Sequence, residues 1–260
     1  MLEKLLKLAG IYWLYTKWLE NAVKNKPLPQ HVGIILDGNR RWAKSRKADL
    51  EEGYKIGAKK VEELLNWCLK LGIKTLTLYA FSIENFKRRP EEVRAVMKVI
   101  EETLMKVQND ERLHKYRVKV KALGRLWLLP QSIQMLLKNL EDTTANYSDY
   151  YLNVAIAYGG RAEIVDAVRR ISSLIVKGEL RPDDINEELL ERFLYTSHLP
   201  NPHPDLIIRT SGEERLSGFL LWQSAYSELC FLDVYWPEFR YIDLLRAIRT
   251  YQRRQRRFGV

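Results

Sequence analysis

Cysteine and histidine are scarce in this sequence, since 260 residues include only two of the former and four of the latter. Cys68 and Cys230 stand in apolar surroundings, without a CxxC pair or a histidine at metal-ligand spacing. They predict buried thiols of a reducing compartment rather than a disulfide framework or a zinc site. The patterns GxxxxGK(S/T), GxGxxG and HExxH are also absent, which argues against P-loop, dinucleotide-binding and zinc-protease chemistry.

Long apolar runs are missing as well. Within residues 1–26, lysines interrupt every stretch that would approach the roughly 20 apolar residues of a membrane-spanning helix. No small-residue cleavage site follows this segment, so we expect a cytoplasmic protein. The lysines are Lys4, Lys7, Lys17, Lys24 and Lys26.

The segment 1–26 instead predicts an amphipathic helix, because apolar side chains recur at alternating spacings of three and four. Trp13, Tyr15 and Trp18 beside lysines are typical of a helix that lies on a membrane surface. The same pattern also fits a helix packed on its own domain or on a partner chain, and both interpretations stay open. Residues 27–260 contain no Ser/Gly-rich linker or repeat and predict one domain.

Basic residues outnumber acidic ones by 43 to 33, which gives a net charge of +10 and a pI near 9.4. Such a protein has anionic partners, for example phosphates, nucleic acid or a membrane surface. Much of the excess is local, since residues 240–260 hold seven arginines and one aspartate, or +6. That segment supports a nucleic-acid-binding module as an alternative function.

Six apolar runs rich in Val, Ile, Leu and Tyr alternate with stretches of helical spacing. This alternation predicts an α/β fold: a single domain with a mainly parallel central sheet flanked by helices. We expect the strands at His31–Leu36, Ile73–Phe81, Val118–Leu123, Tyr151–Tyr158, Asp205–Arg209 and Glu228–Phe231. We expect helices at Gly53–Lys70, Glu91–Val107, Pro130–Ala145, Ala162–Val176 and Asn186–Phe193.

Three of these strands end in residues that suit a polyphosphate. The first runs into DGNRR, the second into SIENFKRR and the fifth into RTSGEER. Ligands of parallel sheets bind beyond the carboxyl ends of the strands. Arginines, hydroxyls and close backbone amides there bind phosphate oxygens through charge-assisted hydrogen bonds. The pattern therefore predicts a polyphosphate site at one edge of the sheet.

Asp37 is the candidate metal ligand of this edge. Proteins typically hold Mg²⁺ by one or two carboxylates plus substrate phosphates, so Asp37 with Glu213 or Glu228 would suffice. From the residue alone, a turn or helix-capping carboxylate remains the alternative. Arg209 and Arg215 suit a second diphosphate, although a solvated, charge-balanced loop also fits. Two phosphate sites and one magnesium ion suggest an enzyme that joins two diphosphate substrates.

Five segments in order, from His31 to the C-terminus, resemble the motifs of the cis-prenyltransferases, the undecaprenyl and dehydrodolichyl diphosphate synthase family. They are HVGIILDGNRRWAK, LTLYAFSIENFKR, LNVAIAYGGRAEI, PDLIIRTSGEERLSGFLLWQ and LDVYWPEF. The SIENFKR wording and the N-terminal helix are closer to the archaeal and eukaryotic branch than to the bacterial one. The DDxxD pair of the trans-prenyl synthases is absent.

The resemblance implies a magnesium-dependent enzyme that condenses isopentenyl diphosphate repeatedly onto an allylic diphosphate primer. Each step makes a cis double bond, so the product is a cis-polyprenyl diphosphate, the precursor of a glycosyl carrier lipid. Carried over by position, the catalytic residues are Asp37, Asn39 and Ser82, and the metal ligands are Asp37, Glu228 and Glu213. The allylic diphosphate site comprises Gly38, Asn39, Arg40, Arg41, Trp42, Asn85, Phe86 and Arg88. The isopentenyl diphosphate site comprises Arg209, Arg215, Ser217, Arg257 and Gly259.

The resemblance further implies an apolar tunnel for the growing chain and a homodimer. We expect the helix Glu91–Val107 and the strand Ile73–Tyr79 to line the tunnel, although ordinary core packing fits these residues equally well. The segment Arg257-Phe258-Gly259 matches an RxG motif that reaches across the dimer interface. This match favours a phosphate-facing arm over nucleic-acid binding. A noncatalytic partner subunit is a further alternative, but such subunits generally lose the DGN loop that Asp37 begins here.

One departure from the family pattern follows Trp42. Where many members carry an Arg and then Gly-His, this chain has Leu50 and then Gly53-Tyr54. A cationic contact to the diphosphate of the primer is thereby lost, which leaves primer preference open. Replacement by Lys44, Arg46 or Lys47 is a hypothesis.

Overall fold

The structure, a computed structural model, describes residues 10–254. Within this range six strands form one sheet in the spatial order β3-β4-β2-β1-β5-β6, and all neighbouring pairs are parallel. The strands are β1 (His31–Ile35), β2 (Thr75–Ser82), β3 (Val118–Leu123), β4 (Tyr150–Tyr158), β5 (Leu206–Arg209) and β6 (Glu228–Phe231). The prediction of a single α/β domain with a parallel sheet is confirmed.

The helices alternate with these strands and cover the sheet. They are α1 (Ile11–Lys24), α2 (Asn39–Arg46), α3 (Leu50–Leu71), α4 (Pro90–Gln108), α5 (Glu111–Lys115), α6 (Gln131–Thr143), α7 (Gly160–Val176), α8 (Glu187–Phe193) and α9 (Tyr241–Arg253). Helices α2, α5 and α9 are not among the expected ones. Both α2 and α5 are short, and neither shows an apolar stripe.

Both faces of the sheet are buried. Ile34 and Leu78 belong to the larger apolar cluster of the core, whereas their neighbours Ile35 and Tyr79 belong to a smaller one. Because successive residues of a strand point to opposite faces, the two clusters lie on opposite sides of the sheet. This burial explains why the strands are near-continuous apolar runs rather than alternating ones.

Helix α1 packs on the domain along one face only. Leu19 and Val23 are fully buried, and the side-chain amide of Gln252 on α9 donates to the Val23 carbonyl at 2.9 Å. On the other face, Trp13 and Leu14 are each 60% exposed. The intramolecular-packing interpretation is therefore correct for one face of α1. None of the helices between residues 10 and 254 combines the length and hydropathy that a bilayer crossing needs.

His31 is buried in the core and forms hydrogen bonds through both of its ring nitrogens. Its Nδ1 lies 3.1 Å from the Asn201 carbonyl and its Nε2 lies 2.8 Å from the Thr77 hydroxyl. A carbonyl only accepts, so Nδ1 carries the proton of the neutral ring and Nε2 accepts from Thr77. Burial lowers the pKa of His31 to about 4.

We expect this histidine to make the protein acid-labile. The unfolded chain binds a proton near the ordinary pKa of 6.5 and the folded chain only near 4, so stability falls as the pH drops through that window. Thermal melts between pH 7 and pH 4 measure the effect. His31→Gln should flatten the decline, whereas His114→Gln, at an exposed histidine, should leave it unchanged. An equally steep decline in His31→Gln would contradict the assignment.

Candidate active site

The three strand ends with phosphate-binding residues are neighbours in the sheet. β1 lies between β2 and β5, with Ile35 in register with Tyr79 on one side and Arg209 on the other. The carboxyl ends of these strands therefore meet at one edge, as the sequence predicts. Asp37, just beyond β1, lies 2.8 Å from a guanidinium nitrogen of Arg209 at the end of β5.

Asp37 is the centre of the first cluster at this edge. Its Oδ2 contacts Nη2 of Arg209 at 2.8 Å and Nη2 of Arg41 at 3.3 Å. Burial raises the pKa of the carboxyl, but the hydrogen bond from Arg209 and the positive charges of Arg209 and Arg41 outweigh it, so that the pKa lies below its usual range. Asp37 is therefore ionised at neutral pH, as a metal ligand must be.

Glu213 joins this cluster through Arg41. Its Oε1 accepts from Nη1 of Arg41 at 2.9 Å, and Nη1 of Arg215 lies 2.5 Å from its Oε2. Nη1 of Arg209 donates to the Ser217 hydroxyl at 2.8 Å. We call Asp37, Arg41, Arg209, Glu213 and Ser217 the Asp37 cluster. Arg215 is at its exposed rim, with 63% of the side chain in solvent.

Two carboxylates of the Asp37 cluster suit a hard cation. Asp37 and Glu213 are bridged by Arg41 and supply oxygen donors, the type that Mg²⁺ takes. Among residues 10–254 there is no group of three or more His, Cys, Asp or Glu side chains that would hold a metal ion by itself. Magnesium commonly completes its coordination with substrate phosphates, so this donor set fits the ion in the presence of a diphosphate.

Glu228 does not belong to this group. It is the first residue of β6 and pairs with Leu206, whereas Arg209 pairs with Phe231 at the other end of the strand. Three residues of strand span about 10 Å, so Glu228 lies at the amino end of the strands, whereas Asp37 lies at their carboxyl end. Its carboxylate instead contacts Nη1 of Arg254 at 3.0 Å. Within one chain, Glu228 and Asp37 are therefore too far apart to bind the same metal ion, contrary to the prediction.

The first turn of α2 follows Asp37 directly. Gly38 precedes it with φ of +106°, a backbone conformation that residues other than glycine rarely adopt. A Cβ at Gly38 would lie 2.8 Å from the ring of Tyr235. Glycine is thus required here, and it turns the amides at the N-terminus of α2 towards the site, where they suit an anion.

A second cluster surrounds Glu92, which is only 2% exposed. Its Oε1 accepts from Nη1 of Arg88 at 2.9 Å and from the Tyr54 hydroxyl at 3.0 Å, and Nε of Arg40 lies 3.2 Å away. We call these four residues the Glu92 cluster. The sequence does not single out Glu92, because Glu91 and Glu92 are equivalent in a charged first turn. Only its spacing of four from Arg88 hinted at a pair.

The remaining predicted site residues divide into two groups. Ser82 and Asn85 line the same cavity as the two clusters, and the Asn85 side chain accepts from the Ser82 amide at 3.2 Å. Asn39 also lines it, and its Oδ1 is buried without a hydrogen-bond partner within residues 10–254. Trp42 and Phe86 do not line it. The Trp42 indole donates to Glu238, and Phe86 packs on Phe81.

The cavity between the clusters has a volume of about 890 Å³. Arg40, Arg41, Arg88 and Arg209 lie on its polar part. Beyond them the lining is apolar and comes from α3, α4, α6 and the strands β2, β3 and β4. The apolar lining includes Leu78, Val96, Val99, Ile100, Leu104, Val107, Val120, Leu137 and Val154. This arrangement suits a ligand with an anionic head and a long hydrocarbon chain, and it agrees with the expected tunnel along α4 and β2.

The positions that depart from the family pattern lie at this cavity. Leu50 and Tyr54 both line it, as does Lys44. Arg46 contacts Glu238 at 2.6 Å and does not line it. Of the three hypothetical replacements for the missing cation, the structure brings Lys44 to the cavity. Arg257 and Gly259 lie outside the described residues.

A sequence profile of the undecaprenyl diphosphate synthase family matches residues 35–259. A tritrans,polycis-undecaprenyl-diphosphate synthase (geranylgeranyl-diphosphate specific) from Methanocaldococcus jannaschii is 53% identical, with 96% of this chain and 90% of that protein aligned. The protein of the same name from Pyrococcus horikoshii is 53% identical over 95% of this chain and 93% of its own length.

Two solved structures share the fold. Lavandulyl diphosphate synthase from Lavandula x intermedia, in complex with dimethylallyl diphosphate, superposes with a TM-score of 0.86 at 38% identity, covering 90% of this chain and 99% of that one. A probable undecaprenyl diphosphate synthase from Campylobacter jejuni gives a TM-score of 0.72 at 30% identity, with the same coverage.

Proposed function

The chain belongs to the undecaprenyl diphosphate synthase family of cis-prenyltransferases, and from that premise we propose that it elongates geranylgeranyl diphosphate with isopentenyl diphosphate. As a family member it is a transferase that makes a cis-polyprenyl diphosphate. The observation that carries the proposal is a single cavity with arginines at one end and an apolar lining beyond them. The archaeal relatives, half identical to this chain, are named for geranylgeranyl diphosphate.

Each of the two arginine clusters binds one of the two diphosphates. The allylic diphosphate binds at the N-terminus of α2, with Arg40, Arg88 and Asn85 around it. Isopentenyl diphosphate binds beside Arg209, Arg215 and Ser217. Support comes from the placement of these groups on either side of Asp37, at the adjacent ends of β2, β1 and β5. Diphosphates bind guanidinium groups in charge-assisted, often bidentate, contacts.

Asp37 and Glu213 are the residues that would hold a magnesium ion. Bound there, the ion would add positive charge that stabilises the diphosphate leaving the allylic carbon. The chain itself contributes Arg40, Arg88 and the α2 amides to the same leaving group, and the apolar cavity keeps water from the allylic cation. Asn39 and Ser82 are weak bases that position the substrates, so the proton lost from isopentenyl diphosphate passes to the released diphosphate.

Product analysis tests this function. Purified protein is incubated with magnesium, labelled isopentenyl diphosphate and dimethylallyl, geranyl, farnesyl or geranylgeranyl diphosphate, and the products are sized. We expect elongation with the highest kcat/KM for geranylgeranyl diphosphate. A shorter preferred primer would overturn the primer assignment alone, whereas no elongation with any primer would overturn the function.

The exposed face of α1 supports a peripheral membrane contact as part of this proposal. Trp13 and Trp18 are 60% and 51% exposed, with Lys17 over the first ring and Arg249 over the second, each at 4.7 Å. Exposed indoles beside cations suit the interface of an anionic bilayer, where the polyprenyl product would partition. We expect the protein to sediment with phosphatidylglycerol vesicles but not with phosphatidylcholine vesicles.

Replacing the two indoles tests that contact. Trp13→Ser with Trp18→Ser should abolish sedimentation, whereas Trp127→Ser, which removes a 64% exposed indole elsewhere, should not. Sedimentation that survives the double substitution would contradict a role for α1.

A homodimer with shared active sites is the remaining part of the proposal. Val165 and Val168 on α7 and Tyr226 before the edge strand β6 are exposed apolar side chains that suit such an interface. If Arg257 serves the site of the partner subunit, inactive Asp37→Asn and Arg257→Ala chains complement each other. Mixing and refolding the two variants together should then restore activity. No restoration would show that both residues act within one chain.

A further inference from the structure

Glu92 does not line the cavity, yet it contacts two arginines that do. Arg40 belongs to α2, after β1, and Arg88 follows β2, so one carboxylate ties together two neighbouring strand ends. A carboxylate that is 2% exposed is stable only when it is paired and hydrogen-bonded. Its partners are thereby held in fixed positions.

The contacts leave the outer faces of both guanidinium groups for a ligand. Arg40 approaches Glu92 through Nε, the nitrogen nearest its own chain, so this contact does not occupy its two terminal nitrogens. Arg88 uses only Nη1. Two cations share one anion, so an excess of positive charge remains on the cavity wall that Arg40 and Arg88 line.

Tyr54 completes the arrangement from a third element, α3. Its hydroxyl donates to Glu92 at 3.0 Å and accepts from Nη1 of Arg88 at 3.2 Å. Burial raises the pKa of Tyr54 to about 12, so the hydroxyl keeps its proton and remains a donor. Tyr54 is also one of the two positions at which the chain departs from the family pattern.

We propose that Glu92 and Tyr54 are positioning residues of the allylic diphosphate site, which set the guanidinium groups of Arg40 and Arg88 to receive the primer. The inference rests on the proposed function. It explains how this chain binds the primer diphosphate although Leu50 stands where many family members carry an arginine. Ordered arginines lose less conformational freedom on binding, so two preset guanidinium groups bind a diphosphate more tightly than two mobile ones. Leu50, in the same wall, then adds apolar surface beside the primer.

Glu92→Gln separates positioning from simple electrostatics. The substitution removes a negative charge close to the diphosphate, so electrostatics alone predicts a lower KM for the primer. Loss of positioning predicts the opposite, a KM for geranylgeranyl diphosphate raised about tenfold or more, because hydrogen bonds to a charged group are lost. The KM for isopentenyl diphosphate should stay unchanged, since its proposed site lies at the Asp37 cluster. Glu91→Gln, 72% exposed in the same helical turn, is the matched control.

Calorimetry with geranylgeranyl diphosphate and magnesium, without isopentenyl diphosphate, gives a readout besides turnover. We expect a Kd about tenfold or more higher for Glu92→Gln, a smaller increase for Tyr54→Phe and recovery of part of the affinity in Glu92→Asp. If Glu92→Gln does not fold, Tyr54→Phe decides: a KM and Kd equal to those of the wild type overturn the proposal. An equal rise in both substrate KM values also overturns it. A wild-type protein that neither binds nor elongates the primer would instead refute the underlying function.

Discussion

Asp37→Asn is expected to lower kcat for prenyl transfer by about a thousandfold, the scale seen when a group that stabilises transition-state charge is removed. The asparagine keeps the size of the side chain and one acceptor oxygen for Arg209. It removes the negative charge, which Arg209 and Arg41 stabilise against burial, so that the pKa of the carboxyl lies below its usual range. Magnesium bound with a diphosphate needs that charge.

Stability measurements separate this effect from unfolding. Asp37 is 28% exposed and the amide still accepts from Arg209, so we expect the melting temperature to fall by only a few degrees. Asp149→Asn is the control, since this carboxylate is 52% exposed beside Arg117. It directly precedes β4 and so lies at the amino end of the strands, away from Asp37. This variant should retain full activity. If Asp37→Asn kept more than a tenth of the wild-type kcat, the metal assignment would be refuted.

That Asp37 and Arg209 lie at the same end of the sheet could be predicted, whereas the pairing of β1 with β5 that brings them within 2.8 Å could not. Parallel strands place their carboxyl ends at one edge, and the residues there carry charges that no core would tolerate. The cavity along α4 could be expected only from the family resemblance, because the apolar stripe of that helix fits ordinary core packing equally well. Volume and direction depend on side-chain packing, which a sequence pattern does not encode.

Three residues show what the sequence cannot supply. Glu92 is the buried member of a pair of identical neighbours, and only the approach of α2 and α3 distinguishes it from Glu91. Glu228 shows the limit of a resemblance: the predicted strand Glu228–Phe231 already begins at this residue, remote from Asp37, yet the family pattern assigned it to the metal ion. Trp42 contacts Glu238 rather than the cavity because α2 forms a helix where the pattern predicts a loop.

Helix α4 runs along the cavity, so bulky substitutions on its lining face should set the length of the product. Val99 and Val107 both line the cavity, and eight residues of helix separate them by about 12 Å. Val99 is nearer the arginines that precede the helix, and Val107 is near its far end. A growing chain anchored by its diphosphate therefore reaches Val99 several additions earlier than Val107.

We expect Val99→Phe to stop elongation after a few condensations and Val107→Phe to shorten the product only slightly. The rate of the first condensation with dimethylallyl diphosphate, whose short chain does not extend to Val99, should be close to that of the wild type in both variants. Mass spectrometry of the products and single-turnover rates measure the two effects. Met105→Phe is the control, because Met105 is 49% exposed on the outer face of the same helix and should leave product length unchanged. Equal product lengths for Val99→Phe and Val107→Phe would show that the chain grows along a different path. A shorter product for Val99→Phe than for Val107→Phe would show that α4 limits the length of the product.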